Sequence, residues 1–294
     1  MTPLKISVIT PSYNQGHFLE ETMLSVLGQN YPNLDYIVMD GGSNDNSVEI
    51  IKKYADRLTY WVSEKDNGQA AAINSGFKIA TGDILLWLNS DDMLMPNVLN
   101  YIADCVIADG EGLYFGDCLH FRKQENGPVD TWGSNVANEH RDLDLAAFDY
   151  IIQPSSFWTR AVWEKVGLLN ETLNYGFDWE WFLRVKNSGI KLINVDRCLS
   201  LYRYHSGHKS KAGGADRQNE LLGIYKQYCP EKADLYALLM KEKSKYPGLK
   251  FRIIRKGLSI IKKEASFGEI LKISAPQKYA SYSAADIDLL VRML

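Results

Sequence analysis

The sequence predicts an α/β fold: a parallel, doubly wound sheet in the N-terminal half, a mixed sheet in the middle and a helical C-terminal region. Three observations carry this. From Lys5 to Leu88, short apolar or β-branched runs alternate with stretches of helical spacing, the pattern of βαβ units. After residue 95 the alternation loosens into Trp- and Tyr-rich segments joined by polar loops. Beyond a glycine-rich stretch, Ser210 to Ala215, helical patterns run to the end.

Four strands are expected in the first half, at Ile6 to Thr10, Leu34 to Met39, Leu58 to Val62 and Ile84 to Leu88. Between the first two, Leu19, Met23, Val26 and Leu27 recur at the spacing of one helix face. Ser47 to Ala55 and Gln69 to Ala80 supply the next crossovers, with Thr81-Gly82 as a glycine helix stop. Later strands are expected at Gly112 to Cys118, Ser156 to Thr159 and Lys191 to Asp196, with a polar loop from Lys123 to Gly133 and a helix over Phe177 to Asn187. The chain of 294 residues then divides into a main domain, 1–212, with halves 1–95 and 96–212, and a helical region, 213–294.

Composition narrows the function. With 33 Lys and Arg against 36 Asp and Glu, the formal charge of −3 argues against a dedicated nucleic-acid binder. The four cysteines, at 105, 118, 198 and 229, form no C-x-x-C pair and read as buried thiols. The apolar start, Ile6 to Ile9, is too short for a secretory signal, and no apolar run reaches membrane-spanning length, so a cytoplasmic protein is expected.

The unusual polar residues follow the four strands. Pro11-Ser12-Tyr13-Asn14, Asp40-Gly41-Gly42-Ser43, Glu64 to Gly68 and Asn89-Ser90-Asp91-Asp92 each sit at a strand's carboxyl end, the edge where open α/β sheets bind ligands. Each cluster taken alone also reads as a turn, and Asp91-Asp92 as a lead into a helix with Pro96 at its first position. Together they outline one crevice. Paired carboxylates suit Mg²⁺ or Mn²⁺ shared with phosphates, while Asp40 and Asp66 suit hydrogen bonds from a base and ribose. Neither a P-loop nor a G-x-G-x-x-G occurs at the first turn.

These clusters resemble family-two glycosyltransferases of the GT-A fold, a Rossmann-like mixed sheet with a parallel N-terminal half flanked by helices. The matching stretches are Thr10 to Gly16 with Ser25 to Gln29, Asp40 to Ser43 with Asp45 and Ser47, Asp66 to Gly68 through Asn74-Ser75-Gly76, and Thr81-Gly82-Asp83 to Asp92. The resemblance covers about residues 5 to 210. It implies a nucleoside diphosphate sugar donor, with Pro11 and Tyr13 flanking a base, usually uracil, and Asp40 accepting from its N3–H. Gly42, Asp66, Gly68 and Asn74 join the nucleotide site. Asp91 and Asp92 resemble the D-x-D-type motif, Asp91 facing ribose and Asp92 binding the metal. Asn89 stands where many members carry an acid, and Ile73 where an Arg is common.

The resemblance also implies an acidic catalytic base at the start of a later helix, for which Asp178 is the candidate and Glu180 the alternative; taken alone, the segment reads Asp178 as a helix N-cap. Arg203 and His205 resemble a loop closing over the diphosphate, with His205 a second candidate for the metal. Gln153, Trp158 and Trp179 are expected on the sugar and acceptor side, or in the core. The reaction implied is inverting transfer of a hexosyl or N-acetylhexosaminyl group to a glycan or lipid-linked acceptor in surface polysaccharide synthesis.

Two other classes stay open: a sugar-phosphate nucleotidylyltransferase, which would show a glycine-rich basic first loop, and a non-catalytic nucleotide-sugar binder, which turnover would separate. From Lys241 to Lys263, nine basic residues face one acidic residue, with Phe251, Ile253, Ile254, Leu258, Ile260 and Ile261 interleaved. This segment reads either as an amphipathic helix on an anionic membrane surface or as a solvated basic face.

Overall fold

The computed structural model describes residues 3–123, 128–205, 207, 209, 213–242 and 265–294. The basic segment 241–263 lies outside these residues from 243 onward, and the glycine-rich stretch 210–215 lies outside them at 210–212. The chain divides into two compact units, Met1–Asp142 with Tyr150–Ala212, and Leu143–Asp149 with Gly213–Leu294.

The first unit runs β1 (Ile6–Ser12), α1 (Gly16–Leu27), β2 (Leu34–Asp40), α2 (Ser47–Lys53), β3 (Tyr60–Ser63), α3 (Gln69–Ile79) and β4 (Ile84–Trp87). It continues with β5 (Met93–Leu94), α4 (Val98–Asp109), β6 (Leu113–Lys123), β7 (Val129–Gly133), α5 (Val136–Asp142), β8 (Ser156–Thr159), α6 (Arg160–Val166), α7 (Phe177–Asn187) and β9 (Leu192–Arg203). Nine strands among the described residues form one sheet in the order β3-β2-β1-β4-β8-β6-β9-β5, with β7 paired to β6. β1 to β4 are parallel, so their carboxyl ends share one edge.

Both faces of the sheet are covered, which explains why β1 is buried along its whole length. Strand alternation sends Ile6, Val8, Tyr36, Val38 and Leu86 to a core shared with Leu19, Met23 and Val26 of α1, Ile51 of α2 and Ile102 of α4. On the other face α3 lies so close that a Cβ on Gly76 would meet Ile9 at 2.5 Å, so only glycine fits. That side also holds Phe77, Trp87, Trp158, Trp163 and Trp181, whose ring centres lie 4.4–6.4 Å apart in contacting pairs.

The structure differs from expectation at several points. The Lys123 to Gly133 segment contains a strand, β7, which is mostly exposed and therefore carries no apolar signature. β9 continues past Asp196 to Arg203 because a bulge opposite Phe115–Asp117 absorbs the polar Asp196 and Arg197. Gly116 makes that bulge possible, since a Cβ there would lie 2.4 Å from the Arg197 carbonyl. Asn97, with φ 60°, starts α4 in place of Pro96. Gly82 is required not as a helix stop but by the passing strand: its Cβ would lie 2.4 Å from the Ser7 nitrogen.

The second unit is helical: α8 (Gly214–Tyr228), α9 (Pro230–Glu242), α10 (Phe267–Ser274), α11 (Pro276–Tyr279) and α12 (Ala284–Val291). Ser266 and Glu269 form a capping box at the start of α10. The inserted segment 143–149 belongs here: the Tyr225 hydroxyl donates to the Ala147 carbonyl at 3.0 Å, and the Arg292 guanidinium lies 4.0 Å from the Phe148 ring centre. Among the described residues no helix is long and apolar enough to cross a membrane.

Candidate functional site

The ends of β1 to β4 open onto a cleft of about 630 Å³, within the usual size of a small-molecule site. After β1, Asn14 takes φ 52° and the turn is tied to the loop after β2. The Asn14 N–H donates to Ser43 Oγ at 2.8 Å, the Asn44 N–H to Asn14 Oδ1 at 2.9 Å, and the Gly16 N–H to Asp45 Oδ2 at 2.9 Å. This network holds Pro11 and Tyr13 at the cleft wall, with Tyr13 61% exposed. An exposed, braced aromatic ring is what a stacking base requires.

After β2 the backbone of Gly41 and Gly42 lines the cleft. Gly42 has φ +80°, and a Cβ on Gly41 would meet Asp66 Oδ2 at 2.8 Å. Asp40 is not among the lining residues. Its carboxylate accepts from Ser43 N–H (2.9 Å), Ser43 Oγ (2.6 Å) and Ser63 Oγ (2.6 Å), occupying most of its roughly four acceptor positions. Asp66 does line the cleft, accepting the Gly68 N–H at 2.8 Å, while Gly68, φ +106°, opens α3 with nothing above it.

After β4 the cleft meets Asn89, Ser90, Asp91 and Asp92. Asn89 bridges two glutamines: it accepts from Gln69 at 2.8 Å and donates to Gln153 at 3.1 Å, while Gln153 donates onward to the Trp87 carbonyl at 2.7 Å. Thr22 fixes the turn from below by donating to the carbonyls of Ser90 (2.9 Å) and Asp92 (2.7 Å). Burial, and then the adjacent Asp91 charge, push the Asp92 carboxyl well above the usual carboxylate range; the Arg203 N–H, donating to it at 3.1 Å, pulls the other way.

From the later half come Asn174, Tyr175, Phe177, Asp178, Tyr202 and Lys209. Asp178 sits in the first turn of α7, two residues inside the N-cap position held by Gly176, and its Oδ1 accepts the free Trp179 N–H at 2.8 Å. Tyr202 is close enough to Asp92, Asp91 and Asp178 for all three to add to the burial that raises its phenol pKa. The Lys209 ammonium donates to Gln69 Oε1 at 2.9 Å and lies 5.9 and 5.6 Å from the rings of Tyr175 and Phe177. Lys65 also lines the wall.

Several expected lining residues lie elsewhere. Asn74 is fully buried and clasps the Leu169 backbone, accepting at 2.9 Å and donating at 3.0 Å. Trp158 and Trp179 are core residues, at 0% and 1% exposure. Glu180 is buried in a forked pair with Arg184 (3.0 Å) and is not among the residues lining the cleft. Arg203 sits beneath the acidic turn: its guanidinium lies 4.7 Å from the Phe18 ring and 4.8 Å from Phe121, donates to the Asp91 carbonyl at 3.0 Å and pairs with Glu21. It organises the turn and does not line the cleft. His205 is also outside the wall, with Nε2 3.1 Å from Asp91 Oδ2 and its ring against Phe18. Gln69, Tyr175 and Lys209 were not anticipated as site residues; Lys209 carried a signal, as a cation just past the segment of Arg203 and His205, and Tyr202 directly precedes Arg203.

Among the described residues no three acidic, imidazole or thiol groups converge as a cation site. The two adjacent carboxylates, with one imidazole nearby, still form a hard oxygen-rich donor set of the kind that holds Mg²⁺ or Mn²⁺ jointly with substrate phosphates. The residues therefore fit a shared cation.

The family model for glycosyl transferase family 2 matches residues 7–162, which carry β1 to β4 and their loops. The chain belongs to glycosyl transferase family 2. Among relatives of this family-two chain, an uncharacterised glycosyltransferase of Rickettsia typhi is 29% identical over 198 residues, 62% of this chain and 59% of that protein. One of Rickettsia prowazekii is 27% identical over 247 residues, 82% of this chain and 73% of that protein. The chain thus spans well under two thirds of some relatives, such as 35% of one from Rickettsia conorii. In solved structures, S. aureus TarS residues 1–349 in complex with UDP-GlcNAc superimposes with TM-score 0.60 at 15% identity, covering 97% of this chain and 88% of that one. The Pyrobaculum calidifontis mannosyltransferase PcManGT, in complex with GDP-Man and Mn²⁺, gives TM-score 0.59 at 15% identity, covering 99% and 87%. The fold of this family-two chain is GT-A, as the sequence led us to expect.

Proposed function

We propose that the chain is a metal-dependent, inverting glycosyltransferase that moves a sugar from a nucleoside diphosphate sugar, a UDP-sugar foremost, to a hydroxyl of a glycan or lipid-linked acceptor. One observation carries the reading: in a family-two chain, an exposed aromatic ring, Asp66, the Asp91-Asp92 pair and Asp178 line one cleft. Pro11 and Tyr13 hold the base, Asp66 accepts from the nucleoside, and Gly41, Gly42 and Gly68 let it approach the backbone. Asp40 shapes the loop that presents Gly41 and Gly42. Asp91 faces ribose, and Asp92, with His205 behind Asp91, would hold a divalent cation shared with the donor's phosphates.

The bound cation supplies Lewis-acid stabilisation of the charge on the departing diphosphate. Lys65 and Lys209 add fixed positive charge to the same wall. Asp178 accepts the acceptor hydroxyl proton as that oxygen attacks the anomeric carbon, and the bond from that carbon to the diphosphate breaks with inversion. Surface polysaccharide synthesis at the cytoplasmic face is the proposed setting, with segment 241–263 touching anionic lipid. Co-sedimentation with anionic vesicles, lost on charge reversal of that segment, tests the last point.

The donor assignment is tested by calorimetric titration of UDP, GDP, dTDP and CDP, each with and without Mn²⁺, into the parent and Asp92→Ala. Metal-dependent binding of one nucleotide, lost in the variant, is expected. Failure of all four in both conditions would return the strand-end aspartates to being turns.

A further inference from the structure

The aromatic groups expected beside the cleft, Trp158 and Trp179, are core, yet another set stands at its rim. Where β7, β6 and β9 run side by side, Trp132 pairs with His120 and His120 with Tyr202, a row of three rings across three strands on one sheet face. The next row on that face holds Asp130 opposite Arg122, with Tyr204 two residues beyond Tyr202. Phe121 and Arg203, between these rows, belong to the opposite face and brace the acidic turn.

The rings touch in sequence. His120 stacks on Trp132 at 5.6 Å between centres and 11° between planes. Tyr202 lies 5.4 Å from His120 and 5.3 Å from Tyr204, and Tyr204 5.0 Å from Trp132. Burial lowers the His120 pKa, so the imidazole is neutral at pH 7 and behaves as part of the apolar surface. Arg122 is exposed and lies over the indole at 5.7 Å. Trp132 is 37% exposed, whereas Tyr202, at the other end, lines the cleft beside Asp178.

We propose that this shelf is a binding surface for the saccharide acceptor, resting on the transferase reading given above. Three features select a sugar chain as its occupant. The surface is continuous with the cleft through Tyr202, so a chain lying along it delivers its terminal hydroxyl toward Asp178. Broad ring faces pack on the C–H surfaces of pyranose rings. Arg122 and Asp130 flank the rings with a donor and an acceptor suited to hydroxyl groups. Amphipathic Trp, Tyr and Arg side chains are also those that dominate recognition surfaces.

The test is binding of the full chain to an immobilised array of hexose, N-acetylhexosamine and uronic acid oligosaccharides, for the parent, Trp132→Ala and Arg122→Ala, with UDP titrated into the same samples. The expected result is binding of at least one saccharide class by the parent and a loss of about tenfold or more in Trp132→Ala, with nucleotide affinity unchanged. No saccharide bound by the parent, or equal binding by parent and both variants, would overturn the proposal. So would self-association of the parent that Trp132→Ala abolishes, since the shelf would then face a second copy. Nucleotide affinity reports separately on the donor site, so loss of one reading does not disguise loss of the other.

Discussion

Replacing Arg203 by Met removes the cation under the acidic turn while keeping a long apolar side chain between Phe18 and Phe121. The Nε–H bond to the Asp91 carbonyl, from a charged donor, is worth about 1.5–3 kcal/mol. Each ring contact, at 4.7 and 4.8 Å, adds about 0.5–1 kcal/mol or more in this buried position. The Glu21 partner contributes less than about 1 kcal/mol, because its side chain is 60% exposed and water competes for it. The expected loss for Arg203→Met is therefore about 3 kcal/mol, and for Glu21→Gln under about 1 kcal/mol. All seven tryptophans lie in the first unit, so urea unfolding followed by tryptophan emission reads this unit alone. Metal-dependent nucleotide affinity should fall with Arg203→Met, because the Asp91 carbonyl loses its anchor. A change within about 0.5 kcal/mol for Arg203→Met, or equal losses for the two variants, would refute the view that the guanidinium supports the turn from beneath.

Asp178→Asn should lower turnover by about 10²–10⁴-fold with little change in the urea midpoint, since the asparagine Oδ1 can still accept the Trp179 N–H; a shifted midpoint with retained turnover would make the residue structural. Tyr13→Ala should weaken nucleotide binding by about 1–3 kcal/mol, the worth of a base-stacking contact, again at unchanged stability because the ring is already exposed; calorimetry decides it. Trp158→Ala, by contrast, should cost about 3–5 kcal/mol of stability through the cavity left among Trp87, Trp163 and Trp181. Removing divalent metal with EDTA should reduce nucleotide affinity in the parent and leave Asp92→Ala unaffected, as read by the same titration.

The parallel half was legible because β1 and β4 are buried along their whole length and its strands are rich in apolar and β-branched residues, and because the crossover α1 keeps one apolar face through Leu19, Met23, Val26 and Leu27. The strand-end clusters could be placed for the same reason: four parallel strands put four loops on one edge. What escaped was set by distant contacts. Nothing near Arg203 announces a partner 182 residues away at Glu21. Asn74 looks like a ligand residue until the backbone it clasps, at Leu169, is seen. Trp158 and Trp132 are chemically the same, and only the packing of α3, α6 and α7 against the sheet makes one core and leaves the other at the surface. β7 escaped because an edge strand facing water needs no apolar pattern.

Segment 143–149 leaves the first unit's chain midway, contributes Ala147 and Phe148 to the helical unit, and hands the chain back at Tyr150. During synthesis this short stretch leaves the ribosome well before Gly214, where the first helix that will receive it begins. The helical unit can therefore close only after residues 1–212 have been made. A chain cut at residue 212 would strand that piece without the tyrosine and arginine that hold it, and one beginning at 213 would lack it altogether. The two units are separable as compact bodies but not as lengths of chain.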